Sequence, residues 1–492
     1  KRRFSKLIYS LIFYVFIPAI DLFSADKYEL IPIKESRVEE IACILPDTLK
    51  GLGNTYKDRN VWDVLYESGA YKTTIKNAED MLNKGFPVWD ESLYNRVFTE
   101  DDTQSGKDMI NIVNKKDCCG CRACEVRCPV NCIKMKADNE GFWYPEIMLQ
   151  ECVRCGMCEK VCPILNKTSK TGKTEALGIL AKDDDIRMNS SSGGVFSLMA
   201  QHVLEQGGIV FGASFDENMM VHHIGVESSE GLEKLRGSKY LQSNTENTYT
   251  EVQEELKKER LVLYSGTACQ IEALKNILGR EYDNLITIDI LCHGVPSPKL
   301  WKKYLDYQEK QAGSAVRKIS FRDKSKGWRL FSVKLEFDNG KEYCKDLNED
   351  IFMQMFLKNI CLRPSCHDCR FKGINRNSDI TIGDFWGVEN VIPELDDDRG
   401  ISVVLTHSDK GRELIQKIAS ESQIKQVETD TALPPSADSR RSVPMHKKRK
   451  MFFNNIDTYD ITKLAGYVKE SNITIFIHKV IRKLKRMMKI TA

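Results

Sequence analysis

The stretches CCGCRACEVRCP (residues 118–129) and CVRCGMCEKVCP (residues 152–163) repeat one cysteine spacing, C-x₂-C-x₂-C-x₃-C-P. This spacing is typical of ferredoxin-type 4Fe–4S sites, in which the fourth cysteine of each run ligates the other cluster. Zinc sites and disulfides are the alternatives, but zinc sites usually separate two close pairs of ligands by a long gap. We therefore predict an α+β ferredoxin-like module with two 4Fe–4S clusters over residues 115–165. One cluster is expected to take Cys118, Cys121, Cys124 and Cys162 as ligands, and the other Cys152, Cys155, Cys158 and Cys128.

Chain length, net charge and cysteine content limit the kinds of protein that this sequence can encode. The 492 residues suffice for about three domains. The net charge of +3 gives no general field that would attract nucleic acid or acidic substrates. The 17 cysteines include the two ferredoxin runs, which favours a reducing, cytoplasmic setting over secretion. Cys119 and Cys132 lie inside the module without a predicted ligand role.

Two terminal segments have sequences that suit contact with a membrane as well as other roles. Leu7–Phe23 is apolar and follows a basic N-terminus, so it suits either a signal anchor or a buried helix, and Pro18 and Asp21 make it borderline as a span. The basic amphipathic tail at Ile473–Ile490 suits a membrane surface, a groove on a partner, or a helix packed on its own domain. Residues 1–110 carry no recognisable active-site motif and stay unassigned.

Helical and strand patterns alternate from Glu175 onward and predict an α/β domain. Apolar residues recur at helical spacing over residues 195–204, and further helices are expected near residues 230–235 and 251–258. Buried strands are expected at residues 209–211, 261–264 and 285–291, and a more β-rich part at residues 316–321, 331–337 and 380–382. Motifs that directly follow such strands lie where α/β sheets bind their ligands.

Two turns of small residues fit a phosphate group. The first is Ser190–Gly194, which precedes the helix predicted from Val195, and a helix N-terminus offers free N–H groups to a phosphate or pyrophosphate. A plain serine N-cap is the alternative there. No G-x-G-x-x-G motif occurs, which argues against a nicotinamide cofactor. The candidate contacts are Ser191, Ser192, Gly193 and Gly194 in the first turn and Ser265, Gly266 and Thr267 in the second.

A later set of cysteines could hold a further 4Fe–4S cluster or a zinc ion. Two of its members each follow an apolar strand, and the other two form a close C-x₂-C pair. Buried free cysteines and one redox pair are the alternative, and Cys361 is the first substitute ligand. His293 is a candidate catalytic proton donor or cofactor contact, with a turn-stabilising role as the alternative. The set consists of Cys269, Cys292, Cys366 and Cys369.

The order of these motifs resembles the family of coenzyme F₄₂₀ hydrogenase/dehydrogenase beta subunits. The similarity covers about residues 115–420 and rests on both cysteine runs and on SSSGGVF (190–196), LRGSKY (235–240), SGTACQ (265–270), CHGVPSP (292–298), the later C-x₂-C pair and DITIGDFWG (379–387). The resemblance implies that a ferredoxin-type module exchanges electrons with an FAD-binding α/β domain. It further implies hydride exchange between the flavin and a deazaflavin or another organic acceptor. It places flavin contacts at Ser192, Gly193, Gly194 and the turn Gly237, Ser238 and Lys239, and another cluster at the later cysteines.

These expectations combine into one hypothesis, an iron–sulfur flavoprotein oxidoreductase with two 4Fe–4S clusters, FAD and a third cluster at the later cysteines. A non-enzymatic electron-transfer subunit that serves a separate catalytic partner is the alternative, and a zinc-stabilised binding protein is a third interpretation. The expected partners are an electron donor or acceptor protein and a small organic hydride acceptor. The predicted segments are 1–110 (unassigned), 115–165 (two-cluster domain), 175–300 (flavin-binding α/β domain), 300–430 (C-terminal part with the later cysteines) and 431–492 (basic tail).

Overall fold

The computed structural model of the chain describes residues 28–32, 42–46, 109–112, 114–168 and 172–469. Residues 1–109 and 110–492 form two compact units. In the first unit, β1 (Tyr28–Pro32) pairs antiparallel with β2 (Ala42–Pro46). Within the described ranges no helix has the length and apolar character needed to cross a bilayer. Leu7–Phe23 and Ile473–Ile490 lie outside those ranges.

The two cysteine runs adopt the same backbone conformation. The third and fifth positions of each run have left-handed backbone angles, at Gly120 (φ 70°) and Arg122 (φ 64°) in the first run and at Arg154 (φ 51°) and Gly156 (φ 68°) in the second. Each run places glycine at only one of these positions, although glycine adopts this conformation most readily. The paired turns curl each loop around its cysteines before a short helix begins. The elements of this region are α1 (Ala123–Val126), β3 (Ile133–Ala137), β4 (Trp143–Ile147) and α2 (Met157–Lys160), with β3 and β4 antiparallel.

A large mixed sheet with flanking helices forms the main body of the second unit. Its eight strands lie in the order β15-β5-β14-β13-β9-β8-β6-β7. The strands are β5 (Glu175–Ala181), β6 (Ile209–Phe215), β7 (Val221–Val226), β8 (Val262–Thr267), β9 (Leu285–Ile290), β13 (Ile380–Asp384), β14 (Ser402–Thr406) and β15 (Ser422–Val427). The helices of this part are α3 (Asp184–Met188), α4 (Val195–Glu205), α5 (Ser229–Leu235), α6 (Thr248–Lys257) and α7 (Ala268–Leu278).

A second, antiparallel sheet packs with helices around an aromatic core. Trp301, Phe321 and Phe352 are fully buried there, and their rings contact one another. The elements are α8 (Pro298–Ala312), β10 (Val316–Asp323), β11 (Ser332–Phe337), β12 (Glu342–Asp346) and α9 (Ile351–Leu357). The chain ends in α10 (Asp409–Lys417), α11 (Thr429–Ala432), α12 (Arg449–Asn454) and α13 (Ile461–Ala465) as far as it is described.

The predicted helices and strands are found, and the mixed α/β architecture is confirmed. The strands expected at residues 209–211, 261–264 and 285–291 are β6, β8 and β9, which run parallel to one another. The eight-stranded sheet contains strands from before and after residue 300 in the sequence. β13 pairs with β9 in parallel and so joins the C-terminal part to the same sheet.

The strand directions bring several predicted motifs to one edge of the sheet. The carboxyl ends of β8, β9 and β13 lie at the same edge because these strands are parallel. Helix α4 leads back into β6, so its N-terminus also lies at the carboxyl end of β6. Such an edge is where open α/β sheets bind ligands.

Candidate functional site

Four cysteines lie together around α1. Burial raises the pKa of Cys124, and the thiols of Cys118 and Cys162 raise it further. Burial likewise raises the pKa of Cys162, with Cys118 among its electrostatic neighbours. For Cys121, a hydrogen bond with Cys119 opposes the rise in pKa that burial and the thiols of Cys124 and Cys162 produce. Cys162 therefore lies with three thiols of the other run.

A second neighbourhood surrounds the last cysteine of the first run. Cys128 Sγ lies 3.4 Å from Cys132 Sγ. Burial raises the pKa of Cys132 to about 12, and the thiols of Cys128 and Cys152 contribute to the rise. The backbone N–H of Ile110 donates a hydrogen bond to Cys158 Sγ at 3.2 Å. Cys128 and Cys152, from different runs, thus share a neighbour.

These thiols fit iron–sulfur ligation by their chemistry. All the cysteines of the two runs are free thiols, and Cys155 is the exposed one among them. Among the described residues no three His, Cys, Asp or Glu side chains meet closely enough for a single metal ion. A cubane cluster instead spreads four soft thiolates over four irons. The crossed assignment of ligands is consistent with both neighbourhoods and stays a prediction.

The later cysteines gather at the carboxyl edge of the sheet. Burial raises the pKa of Cys366, and the thiols of Cys292, Cys369 and Cys269 add to the rise. The backbone N–H of Val295 donates to Cys366 Sγ at 3.4 Å. These four thiols therefore come together although they belong to separate segments of the sequence.

Cys361, the first substitute ligand, lies elsewhere. It packs in the aromatic core with Phe352 and Leu362. Burial raises its pKa to about 12, and no other thiol contributes to this rise. Cys361 therefore lies apart from Cys269, Cys292, Cys366 and Cys369, and the ligand role of those four stays a prediction.

Cys119 lies near both groups of cysteines, and the sequence analysis did not predict this position. The pKa of its thiol is raised well above the usual value, with Cys121 of the first run as the largest cause and Cys269 of the later set acting in the opposite direction, so both thiols lie near it. Thr267 Oγ1 also lies 3.1 Å from Cys269 Sγ. Cys119 thus links the two-cluster module to the later cysteines. The double cysteine in CCGC was the available signal, since it sets a spare thiol between the predicted ligands Cys118 and Cys121.

One cavity of about 310 Å³ connects these groups. Its wall includes Cys121 from the first run, Cys269 and Cys366 from the later set, and the turn before α4. Cavities of this size are large enough for part or all of a small cofactor. The cavity therefore joins the predicted phosphate turn to the predicted cluster sites.

The N-terminus of α4 is open towards this cavity. Gly194 is its N-cap residue and provides no side-chain cap. The first backbone hydrogen bond of the helix is donated by Leu198 N–H to Gly194 O. The N–H groups of Val195 and Phe196 come before it in the chain and therefore have no acceptor within the helix. Both residues line the cavity. This arrangement suits an anion, since free N–H groups and the helix dipole both favour negative charge.

The second predicted turn is already capped. Thr267 and Gln270 form a capping box at the start of α7, in which Thr267 N–H donates to Gln270 Oε1 at 2.9 Å. Ser265 Oγ donates to Phe211 O at 3.0 Å. The T-x-x-Q pattern of a capping box stands in the sequence and could have shown this. Ser265, Gly266 and Thr267 line the cavity, but their hydrogen-bonding groups are largely occupied within the protein.

Gly193 and Gly194 serve the packing of α4 on the sheet. A Cβ at residue 193 would lie 2.7 Å from Ser402 N and would also collide with Ile179 O. Gly194 has φ +86°, and a Cβ there would contact Ala181 Cβ at 3.2 Å. The close approach that these glycines permit is therefore to the sheet.

The turn Gly237–Ser238–Lys239 lies against the turn before α4. The backbone N–H of Ser238 donates to Ser191 Oγ at 2.6 Å. Lys239 Nζ donates to the carbonyls of Leu235 and Arg236 at 3.2 and 2.9 Å. Burial lowers the pKa of Lys239 to about 7. A buried amine of this kind gains its charge most readily when an anion binds next to it.

His293 lines the cavity beside the later cysteines. Its Nε2 lies 2.6 Å from Asn359 Oδ1, and its ring packs edge-on against Phe356. Because the amide oxygen only accepts, Nε2 carries the proton and Nδ1 is unprotonated in the neutral ring. Burial lowers the pKa of His293, which favours that neutral form.

Comparisons with known proteins find similarity in two parts of the chain. Residues 259–432 match the family described as the C terminus of the coenzyme F420 hydrogenase/dehydrogenase beta subunit, and residues 117–165 match the 4Fe-4S dicluster domain. One component of the F(420)H(2) dehydrogenase of Methanosarcina mazei is 22% identical over 281 residues, which cover 53% of this chain and 73% of that component. A chain of the F420-reducing [NiFe] hydrogenase complex from Methanosarcina barkeri aligns with 18% identity and a TM-score of 0.38, over 61% of this chain and 92% of that chain. The chain thus combines a 4Fe-4S dicluster domain at residues 117–165 with the C-terminal domain of the coenzyme F420 hydrogenase/dehydrogenase beta-subunit family at residues 259–432.

Proposed function

We propose that the protein is an iron–sulfur flavoprotein oxidoreductase, which passes electrons between 4Fe–4S clusters and FAD and exchanges a hydride with an organic acceptor. The observation that carries this proposal is the single cavity that reaches from Cys121 and the later cysteines to the open N-terminus of α4. Bound flavin would supply the conversion between the single electrons of iron–sulfur clusters and a two-electron hydride. The division into a two-cluster domain at 115–165, a flavin-binding part at 175–300 and a cysteine-bearing part at 300–430 follows from the same proposal.

The residues of this chain would act as binding and orienting groups. The N–H groups of Val195 and Phe196 would hold the pyrophosphate, because they are the open donors at the start of α4. Lys239 would stabilise negative charge on the phosphate or on the reduced ring. Cys269, Cys292, Cys366 and Cys369 would hold a third 4Fe–4S cluster at the far side of the same cavity.

The position of Cys119 supports a continuous route for electrons. Its thiol lies near Cys121 of the first run and Cys269 of the later set, and all three residues line the same cavity. Electrons that enter the two-cluster module would therefore reach the cavity without crossing solvent. The acceptor is proposed by similarity, since the relatives named above act on or with coenzyme F420, and partner subunits are proposed on the same basis.

The experiment compares two charge-adding variants at opposite ends of α4. Ser191→Asp keeps an oxygen that can accept from Ser238 N–H and adds a negative charge beside the proposed pyrophosphate. Gln206→Glu adds the same charge at the exposed C-terminal cap of the same helix. Each full-length protein is reconstituted anaerobically, and flavin, iron and sulfide are quantified per chain.

We expect Ser191→Asp to weaken FAD binding at least about tenfold, which is ~1.4 kcal/mol, with unchanged iron and sulfide. Gln206→Glu should match the wild type in all three. Equal flavin content in both variants, or no flavin in the wild type, would contradict the flavin site. Retained iron with no flavin would then support the non-enzymatic electron-transfer subunit.

A further inference from the structure

Arg363 is a buried cation with two hydrogen bonds to Cys118 among its contacts. Its side chain is fully buried. Nε donates to Cys118 O at 2.8 Å, and Nη2 donates to Cys118 Sγ at 3.5 Å. In the described part of the chain no Asp or Glu forms an ion pair with this guanidinium. Because burial of an unpaired charge costs several kcal/mol, a negative group must compensate it, and the sulfur of Cys118, which would be anionic as a cluster ligand, is the nearest candidate.

The remaining donors fix the guanidinium in one orientation. Nη2 also donates to Trp143 O at 2.8 Å, and Nη1 donates to Gln242 Oε1 at 3.2 Å. The ring of Tyr144 lies 4.4 Å from the guanidinium carbon, which adds a cation–π contact. The close approach requires Gly120, because a Cβ there would lie 2.8 Å from Arg363 Nη1. The charge is therefore placed rigidly against the CCGC loop.

The backbone of the same residue belongs to the later cysteine site. Arg363 N–H donates to Val295 O at 2.9 Å, and Cys366 N–H donates to Arg363 O at 2.9 Å. One residue thus contacts Cys118 with its side chain and Cys366 with its main chain. It ties together two sites that come from different sequence segments.

We propose that Arg363 is a positioning residue that raises the reduction potential of the cluster predicted at Cys118, Cys121, Cys124 and Cys162. This inference rests on the proposed function, since it requires a cluster at those thiols. One-electron reduction adds a negative charge to a cluster, and a fixed cation in a dry site favours the reduced form. Hydrogen bonds to ligand sulfur act in the same direction and also orient the ligand.

The test uses two ways to remove the net charge. Arg363→Gln removes the cation, whereas Gln242→Glu leaves it in place and sets a carboxylate against Nη1. Gln242→Glu changes few atoms, so it decides the question if Arg363→Gln fails to fold. Arg363→Lys keeps a charge at the site. Arg449→Gln is the matched control, because Arg449 is also buried and contacts Leu362 O but is paired with Glu140.

Anaerobic redox titrations of the full chain, followed by electron paramagnetic resonance, give the reduction equilibrium of each cluster. We expect both charge-removing variants to lower the equilibrium constant for reduction of one cluster at least about tenfold, which is 59 mV for one electron. Arg363→Lys should shift it less than tenfold, and Arg449→Gln should leave it unchanged. Unchanged values in Gln242→Glu with full iron content would overturn the inference. A wild-type protein without iron would instead overturn the proposed function, and with it this inference.

Discussion

Cys119 and Cys121 flank Gly120 in one turn, yet their thiols have different surroundings. Cys124 and Cys162 affect the pKa of Cys121, whereas Cys269 of the later set affects the pKa of Cys119. We therefore expect Cys121→Ser to lose the iron and sulfide of one cluster, because a serine hydroxyl is a poor replacement for a thiolate ligand of iron. Cys119→Ser should retain the full iron content. The measurement is iron and sulfide per chain after anaerobic reconstitution, and loss of one cluster in Cys119→Ser would make Cys119 a ligand.

Lys239 should couple cofactor binding to pH. Burial lowers its pKa to about 7, so in the free protein the amine is largely neutral above that pH. An anion bound beside the ammonium raises the pKa, so binding takes up a proton. The dissociation constant of FAD should therefore increase as the pH rises above about 7, by up to about tenfold per pH unit until the pKa of the bound state is reached.

Flavin fluorescence titrations between about pH 6 and about pH 9 measure this dependence. Lys239→Met should bind FAD more weakly at low pH and show a flat profile over the same range. A flat profile in the wild type, or the same slope in both proteins, would show that Lys239 does not face the anion.

At the scale of elements, the start of α4 combines an open set of N–H groups with close packing on β5 and β14. A Cβ at residue 193 would collide with the backbone at Ile179 and Ser402, which cannot move without disturbing the sheet. We expect Gly193→Ala to lower the free energy of unfolding by about 1–3 kcal/mol, as overpacking of a core does. Urea denaturation of the full chain measures the change.

Gly266→Ala is the matched control for this change. The nearest atoms to a Cβ at residue 266 would be side-chain atoms of Gln270, at 3.2 and 3.3 Å, and His223 Nε2, at 3.6 Å, with no backbone atom among them. The loss of stability should therefore be smaller than in Gly193→Ala. Equal losses would mean that the packing of α4 on the sheet is not the reason for the glycine. Because a side chain at residue 193 would disturb the packing of α4 on the sheet, loss of flavin in a Gly193 variant would not by itself identify a cofactor site.

Local sequence patterns predicted the elements well because their causes are local. Helical periodicity gave α4, and apolar runs gave β6, β8 and β9. The two cysteine runs could be recognised because their spacing is contained within a few residues of sequence. The role of Gly193 could not be predicted from the sequence, because it depends on contacts with Ile179 and Ser402. The SSSGG turn itself does not distinguish a glycine that faces a ligand from one that faces a sheet.

At the scale of the whole molecule, the convergence of the later cysteines and the position of Arg363 depend on contacts between distant segments. Arg363 lies 245 positions from Cys118 in the sequence, and only the fold brings them together. The order of the strands is equally non-local, since β13 enters the sheet between β9 and β14. The resemblance to a known family could propose which cysteines meet. It could not propose the buried arginine between them.

Crossed ligation in the two-cluster module can be tested by pairs of variants in the full chain. If Cys162 ligates the same cluster as Cys118, removal of either thiolate should cost the iron of one cluster, and removal of both should cost no more. Cys152→Ser combined with Cys162→Ser should instead cost two clusters, although both residues belong to one run. Iron and sulfide per chain, together with the number of distinct paramagnetic signals after reduction, measure these losses.

Cys344→Ser is the control, since Cys344 is an exposed free thiol on β12 with no predicted ligand role. If each run closed on its own cluster, the pair Cys152 and Cys162 would cost one cluster and the pair Cys118 and Cys162 would cost two, so the two ligation schemes predict opposite results for the same two proteins.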